Sequence, residues 1–210
     1  MPLLSLKNSQ GSQSADSAAC RTELAFNLSP GSRGLGVMLA AVSLAPSMGA
    51  WRGTRDRGKM QIGLASDHGG FELKEAVKGF LKLIGAEPVD LGTFSEDPVD
   101  YPEMAAPLAQ RVSEGELEKG ILICGTGIGM SIVANKFRGV RAALVNDLYS
   151  CRLSREHNDA NILVMGGRVV GKDLAKEIVR IWLETPFAAG RHQRRLKKIE
   201  VLEAKNFRSD

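Results

Sequence analysis

The stretch ILICGTGIG, Ile121 to Gly129, ends an apolar run in a cysteine and follows it with glycines at 125, 127 and 129. Three other loops carry reactive side chains. Asp67-His68-Gly69-Gly70 follows the run QIGLAS, His157-Asn158-Asp159 precedes NILVMG, and Gly166-Gly167-Arg168 follows it. The third histidine, His192, lies in the basic run Arg191-His192-Gln193-Arg194-Arg195. A tight turn that feeds a helix presents free N–H groups that suit an anionic oxygen. The same field favours a thiolate over a thiol, which makes Cys124 a candidate for acid–base or nucleophilic work.

Each feature also has a plainer reading. Asp67 could be a helix cap and His68 a surface residue, and His157-Asn158-Asp159 a polar helix stop. The cluster around Arg191 could be a solvated helix face. Tyr101, before Pro102, could simply pack its loop, and Cys151, at helical spacing with Leu148, reads as a packed core thiol. A dinucleotide fingerprint fails, because Met130 stands where the third glycine of G-x-G-x-x-G belongs and no acidic partner follows the next strand. Zinc has no support, since CxxC, HExxH and clustered His/Cys spacings are missing from the sequence. Two cysteines after Met60 make no disulfide framework, so a reducing, cytoplasmic setting is the simpler expectation.

The elements that must position these residues follow from periodicity. QIGLAS (61–66) reads as a strand, and Phe71, Leu73, Val77, Phe80, Leu81 and Ile84 recur at helical spacing after it. EPVDLG reads as a second strand, 103–113 as a helix, and 121–124 as a third strand with a helix over 128–137. VRAALV (140–145) and NILVMG (161–166) supply two more strands, separated by a helix over DLYSCRLSREH and followed by one across 172–184. A last helix over 191–205 carries Leu196, Ile199 and Leu202 as a short apolar stripe. Five short, continuously apolar strands alternating with helices predict a three-layer α/β/α sandwich, Rossmann-like, with a five-stranded parallel sheet and a C-terminal helix. Such sheets bind ligands beyond the carboxyl ends of their strands.

Charge separates the chain into two parts. Residues 1–59 hold 7 Lys+Arg against 3 Asp+Glu, a net of +4, whereas residues 60–210 hold 21 of each. The basicity of the whole chain therefore carries no argument for nucleic acid, and the aromatics show no stacking pattern. The first 59 residues are rich in Ser, Gly and Ala without sustained periodicity and are expected to be disordered. Three readings of that segment compete: an organellar presequence, a secretory signal around GLGVMLAAVSLAPSMGA, or a start of the functional chain at Met60. The abrupt change of composition favours the last. The apolar stretch is too short to span a bilayer comfortably, and no membrane partner is expected.

Taken together, ASDHGG, DYP, GILICGTGIGMSIVANK, HND, GGRVVG and GRHQRR, in this order and at these separations, closely resemble ribose-5-phosphate isomerase type B, within the ribose/galactose isomerase family. The resemblance runs from about Met60 to about Ile199 and leaves the N-terminal segment uncovered. It implies interconversion of D-ribose 5-phosphate and D-ribulose 5-phosphate through an enediolate, as in the non-oxidative pentose phosphate pathway, with neither metal nor nucleotide cofactor. It also implies a homodimer, or a dimer of dimers, whose active sites combine residues of both subunits. By the same resemblance Cys124 is the base between C2 and C1, and Thr126 with the N–H groups of Gly125, Gly127, Ile128 and Gly129 stabilises the enediolate. His157 opens the furanose ring, Asp67 and Asn158 hold sugar hydroxyls, His68, Arg191 and Arg195 face the phosphate, and Arg168 contacts ligand. Some members carry serine at the cysteine position and use a glutamate just downstream; here Ile128, Met130, Ser131 and Ile132 offer no carboxylate. The alternatives are isomerisation of a six-carbon 6-phosphate (allose or galactose 6-phosphate) and a non-catalytic sugar-phosphate-binding protein on the same scaffold.

Overall fold

The computed structural model describes residues 59–207. The segment expected to be disordered, apart from Lys59, lies outside the described residues. In chain order the elements are β1 (Gln61–Ser66), α1 (Phe71–Leu83), β2 (Glu87–Asp90), α2 (Tyr101–Ser113), β3 (Lys119–Cys124), α3 (Ile128–Ala134), β4 (Ala142–Leu144), α4 (Leu148–Glu156), β5 (Ile162–Gly166), α5 (Lys172–Glu184) and α6 (Arg191–Asn206). The strands form one parallel sheet in the order β2-β1-β3-β5-β4, as the alternation of elements predicts.

The period-2 geometry of the strands sorts their apolar residues into two cores. Ile62, Leu64, Ile121, Ile123, Leu163 and Met165 pack on one face against α1, α4 and α5, with Trp182 fully buried among them. Leu122, Cys124, Ile162 and Val164 face α2 and α3 across the sheet. Cys151 is fully buried, and its Sγ lies 3.2 Å from the carbonyl oxygen of Ile178. That burial places Cys151 in the core, as its spacing predicts, and burial first, then Asp147, pushes the thiol up to about 12.

Element boundaries shift where local chemistry overrides periodicity. The helix expected from 103 begins at Tyr101, because Pro102 in the first turn sacrifices no helical hydrogen bond. The helix expected over 128–137 stops at Ala134, where Asn135 turns its amide to Ser131 O and Ala142 O and so leads the chain into β4. That strand covers 142–144, shorter than the expected 140–145, and α1 closes before Ile84. Gly85, at φ 84, closes α1 with the two reversed bonds of a Schellman cap, Ala86 N to Leu81 O and Gly85 N to Lys82 O.

The loops at the carboxyl ends of β1, β3 and β5 touch through bare backbone. A Cβ added to Gly70 would lie 2.3 Å from Ile123 O, one on Gly167 would lie 2.7 Å from Gly69 O, and one on Gly166 would lie 2.9 Å from Thr126 O. Gly70 has ordinary right-handed backbone angles, so its constraint is space alone. Exposed Gly79, inside α1, has nothing within 4 Å of its would-be Cβ. Gly70→Ala should therefore destabilise by about 1–3 kcal/mol, whereas Gly79→Ala should stabilise by roughly 0.5–1 kcal/mol. Urea midpoints at fixed protein concentration, with unchanged slopes, check both.

Candidate active site

Cys124 is the last residue of β3, 5% exposed, on the sheet face covered by α2 and α3. Its Sγ accepts a hydrogen bond from Gly127 N at 3.1 Å, a donation that stabilises negative charge on sulfur. Gly127 can make it because it is left-handed, at φ 81, where a side chain would meet Leu144 and the Met165 backbone. Thr126 Oγ1 accepts from Ile128 N, the first N–H of α3, at 3.3 Å. Two N–H groups of the turn are thus used internally. Those of Gly125 and Thr126 donate to no acceptor among the described residues.

The other strand ends converge on this turn. Asp67 is buried and caps the single 3-10 turn His68–Gly70, accepting from Gly70 N at 3.0 Å. The capping reading is therefore correct, and only one carboxylate oxygen is engaged by it. Gly69 stacks on the backbone of Gly125, where a Cβ would come within 3.3 Å. His68 Nδ1 accepts from Val99 N at 3.2 Å. Arg168 N donates to Gly125 O at 3.0 Å, and the Arg168 side chain lies over Gly125, 3.8 Å from the position of its Cβ. The ring of Tyr101 covers Gly129, where a Cβ would sit 2.7 Å from it, so this tyrosine borders the turn. Asp67, His68, Cys124, Thr126, the glycines and Arg168 therefore form one group.

His157, Asn158, Arg191 and Arg195 form another. His157 closes α4 and leads through Asn158 and Asp159 into the amino end of β5. Gly120 N bonds Asn161 O and Gly120 pairs with Ile162, whereas Cys124 pairs with Gly166 at the opposite end. Four residue steps of strand separate these levels, about 13 Å. No hydrogen bond or ring contact among the described residues joins the two groups. Asp159, at φ 45, makes the turn, with its carbonyl bound by Arg141 and its carboxylate by Arg141 and Arg155.

The second group contains a residue that the loop-by-loop reading left unassigned. The His192 ring, 6% exposed, stacks on His157 with centroids 4.0 Å apart and planes 7° from parallel. Burial, then the neighbouring His157, Arg191 and Arg195, pushes the His192 imidazole below the ordinary histidine range. A neutral ring suits the contact from Arg191 Nε to His192 Nε2 at 3.3 Å. Ala188 N donates to Glu156 O at 3.0 Å, tying the segment before α6 to the end of α4. The sequence signal for His192 is a histidine among three arginines on one helix.

No helix among the described residues is long and apolar enough to cross a membrane, and no cluster of His, Cys, Asp or Glu there could hold a metal ion.

Residues 62–199 match the family model described as Ribose/Galactose Isomerase. Ribose-5-phosphate isomerase B of Escherichia coli is 48% identical over 68% of this chain and 96% of its own length. D-erythrulose-4-phosphate isomerase of Pectobacterium atrosepticum is 38% identical over 69% of this chain and 95% of its own. The solved structure of Clostridium thermocellum ribose-5-phosphate isomerase B is 52% identical with a TM-score of 0.68, covering 70% of this chain and 99% of that one.

The two described thiols should differ sharply in reactivity. Near neutral pH, iodoacetamide should alkylate Cys124 at least about 100-fold faster than Cys151, with peptide mapping as the readout. Comparable rates would contradict the geometry given above for both sulfurs.

Proposed function

The chain belongs to the ribose/galactose isomerase family and is a sugar-phosphate isomerase, and from that premise we propose that it interconverts D-ribose 5-phosphate and D-ribulose 5-phosphate. The observation that carries the proposal is Cys124 Sγ held at a strand end beside the N–H groups of Gly125 and Thr126, which have no acceptor among the described residues. Aldose–ketose isomerisation needs one base able to take a proton beside a carbonyl and return it one carbon away. It also needs donors for the enediolate oxygen formed between those steps.

In the proposed sequence, His157 moves the ring proton that opens the furanose. The Cys124 thiolate then takes the proton from C2, and the electron pair passes through the C1–C2 bond to the aldehyde oxygen. The resulting enediolate lies against the N–H groups of Gly125 and Thr126 and the Thr126 hydroxyl. The same sulfur returns its proton to C1, the O2 hydroxyl proton passes to O1, and C2 becomes the ketone. Asp67 and Asn158 hold sugar hydroxyls. Arg168 flanks the turn, while His68, Arg191 and Arg195 take the phosphate through charge-assisted hydrogen bonds.

Because the two residue groups sit at opposite ends of one sheet, the reading requires that His157, Asn158, Arg191 and Arg195 come from a second copy of the chain. Exposed Ile199 and Leu202 on α6, lining a cavity of about 430 Å³ with Val140 and Ala142, are consistent with a homodimer. Free Cys124 and Cys151 are consistent with a reducing, cytoplasmic setting. We also infer that the functional unit is residues 60–210.

A related substrate is the second reading, favoured by the Pectobacterium relative, whose name gives a four-carbon phosphate. Cys124→Ala should lower kcat by about 10²–10⁴-fold on ribose 5-phosphate while still binding it. A near-normal turnover number rejects Cys124 as the base. The parent enzyme's kcat/KM, compared side by side on ribose 5-phosphate, erythrulose 4-phosphate and allose 6-phosphate, decides the substrate.

A further inference from the structure

Lys74 is fully buried on α1 and carries a charge that no step of isomerisation uses. Its Nζ donates to Asp90 Oδ1 and Oδ2 at 2.9 and 3.0 Å, to Gly92 O at 2.9 Å and to Thr93 O at 2.8 Å. The rings of Phe71 and Phe94 lie 5.3 and 5.2 Å from it. Against its own burial, hydrogen bonds from Lys78 and Lys74 hold the Asp90 carboxyl below the usual carboxylate range, so the acceptor is ionised at neutral pH.

These acceptors lie at the start of the segment that joins β2 to α2. Its first N–H groups continue the sheet ladder, Leu91 to Leu64 O at 2.8 Å and Thr93 to Ser66 O at 2.9 Å. The carbonyls of Gly92 and Thr93 receive their hydrogen bonds from Lys74. Without the ammonium, the two buried carbonyls would lose their partner and the Asp90 carboxylate would keep only Lys78, so the segment would have to move to hydrate the carbonyls. The far end of the same segment reaches the candidate active site twice. Val99 N donates to His68 Nδ1, and Tyr101 covers Gly129.

An N–H donated to Nδ1 requires a lone pair there, so the single proton of a neutral His68 ring sits on Nε2. We propose that Lys74 is a positioning residue: by holding the β2–α2 segment, it keeps Val99 N–H on His68 Nδ1 and so fixes His68 as an Nε2–H donor. In the isomerase reading, on which the use of that donor rests, the Nε2–H is directed to the anionic phosphate group of the substrate. A phosphate accepts from a donor fixed in place, whereas a ring free to exchange tautomers would present a lone pair to it part of the time.

The test is ¹⁵N NMR of the histidine rings in the full-length, substrate-free protein at about pH 8, where an unperturbed imidazole is neutral. The His68 signals are identified by their loss in His68→Gln. The parent protein should show a pyridine-like Nδ1 and a pyrrole-like Nε2 at His68. Lys74→Met and Val99→Pro, which removes the N–H donor, should each show averaged shifts from mixed tautomers. Each should also raise KM for the sugar phosphate roughly five- to tenfold, the loss expected for one weakened charge-assisted hydrogen bond, with kcat changed less than about twofold. If Lys74→Met does not fold, Lys74→Gln takes its place, because its shorter neutral amide keeps a polar group at the site but gives up the charge and the reach to the Gly92 and Thr93 carbonyls. An unchanged single tautomer with unchanged KM in the folded Lys74 variant overturns the role of Lys74. The same result in Val99→Pro overturns the tautomer lock. Since the NMR signature needs no turnover, failure of the isomerase reading would appear separately, as a parent protein inactive on every sugar phosphate.

Discussion

Backbone touching backbone at the carboxyl ends of β1, β3 and β5 is the constraint on which the rest depends. Gly70 lies against Ile123 O, Gly167 against Gly69 O, and Gly166 against Thr126 O, each closer than any side chain allows. Removing the Cβ atoms lets three loops from neighbouring strands share one small volume. Asp67, the Cys124 turn and Arg168 are brought together by this contact and not by direct pairing of their side chains. The chemistry is therefore mounted on main chain that cannot shift without disturbing the ends of the three central strands, which is the preorganisation that oxyanion stabilisation demands.

The parallel sheet imposes a second consequence. Every strand points the same way, so residues that follow a strand collect at one end and residues that precede a strand collect at the other. Cys124 ends β3 and leads into the loop after it, and His157 precedes β5. Their order along the chain commits them to opposite ends, whatever side-chain rearrangement occurs. The stacked pair His157–His192 and the arginines of α6 are accordingly assembled as a unit of their own, fastened by Ala188 to the end of α4. In the proposed function that unit completes the site of a neighbouring copy.

Much of this was legible in the residues alone. Continuous apolar runs such as ILIC and ILVMG mark buried parallel strands, and the glycines after Cys124 mark a turn and not a nucleotide fingerprint. The motifs also placed Cys124, Thr126, Asp67, His68 and Arg168 in one site, and the structure brings these together. What periodicity could not show was set by long-range partners. The fully buried Lys74 sits within an amphipathic helical pattern as one of several lysines, and only its contacts with Asp90, Gly92 and Thr93 set it apart. The stacking of His192 on His157 joins residues 35 positions apart in the sequence. The shortened α3 depends on Asn135 reaching forward to Ala142 O, a side-chain bond that a helical stripe does not encode.

The central claim is that Cys124 of one copy works with His157 of another, and it is tested most directly with two inactive variants in one heterodimer. Cys124→Ala and His157→Asn chains carrying different tags are co-expressed and the mixed dimer is isolated. One of its two sites then carries both lesions and the other carries neither. The account predicts recovery to about half the parental turnover per dimer on ribose 5-phosphate, following from two-fold symmetry. Activity no higher than that of either variant alone would contradict it, because it would mean that both residues serve the same chain's site.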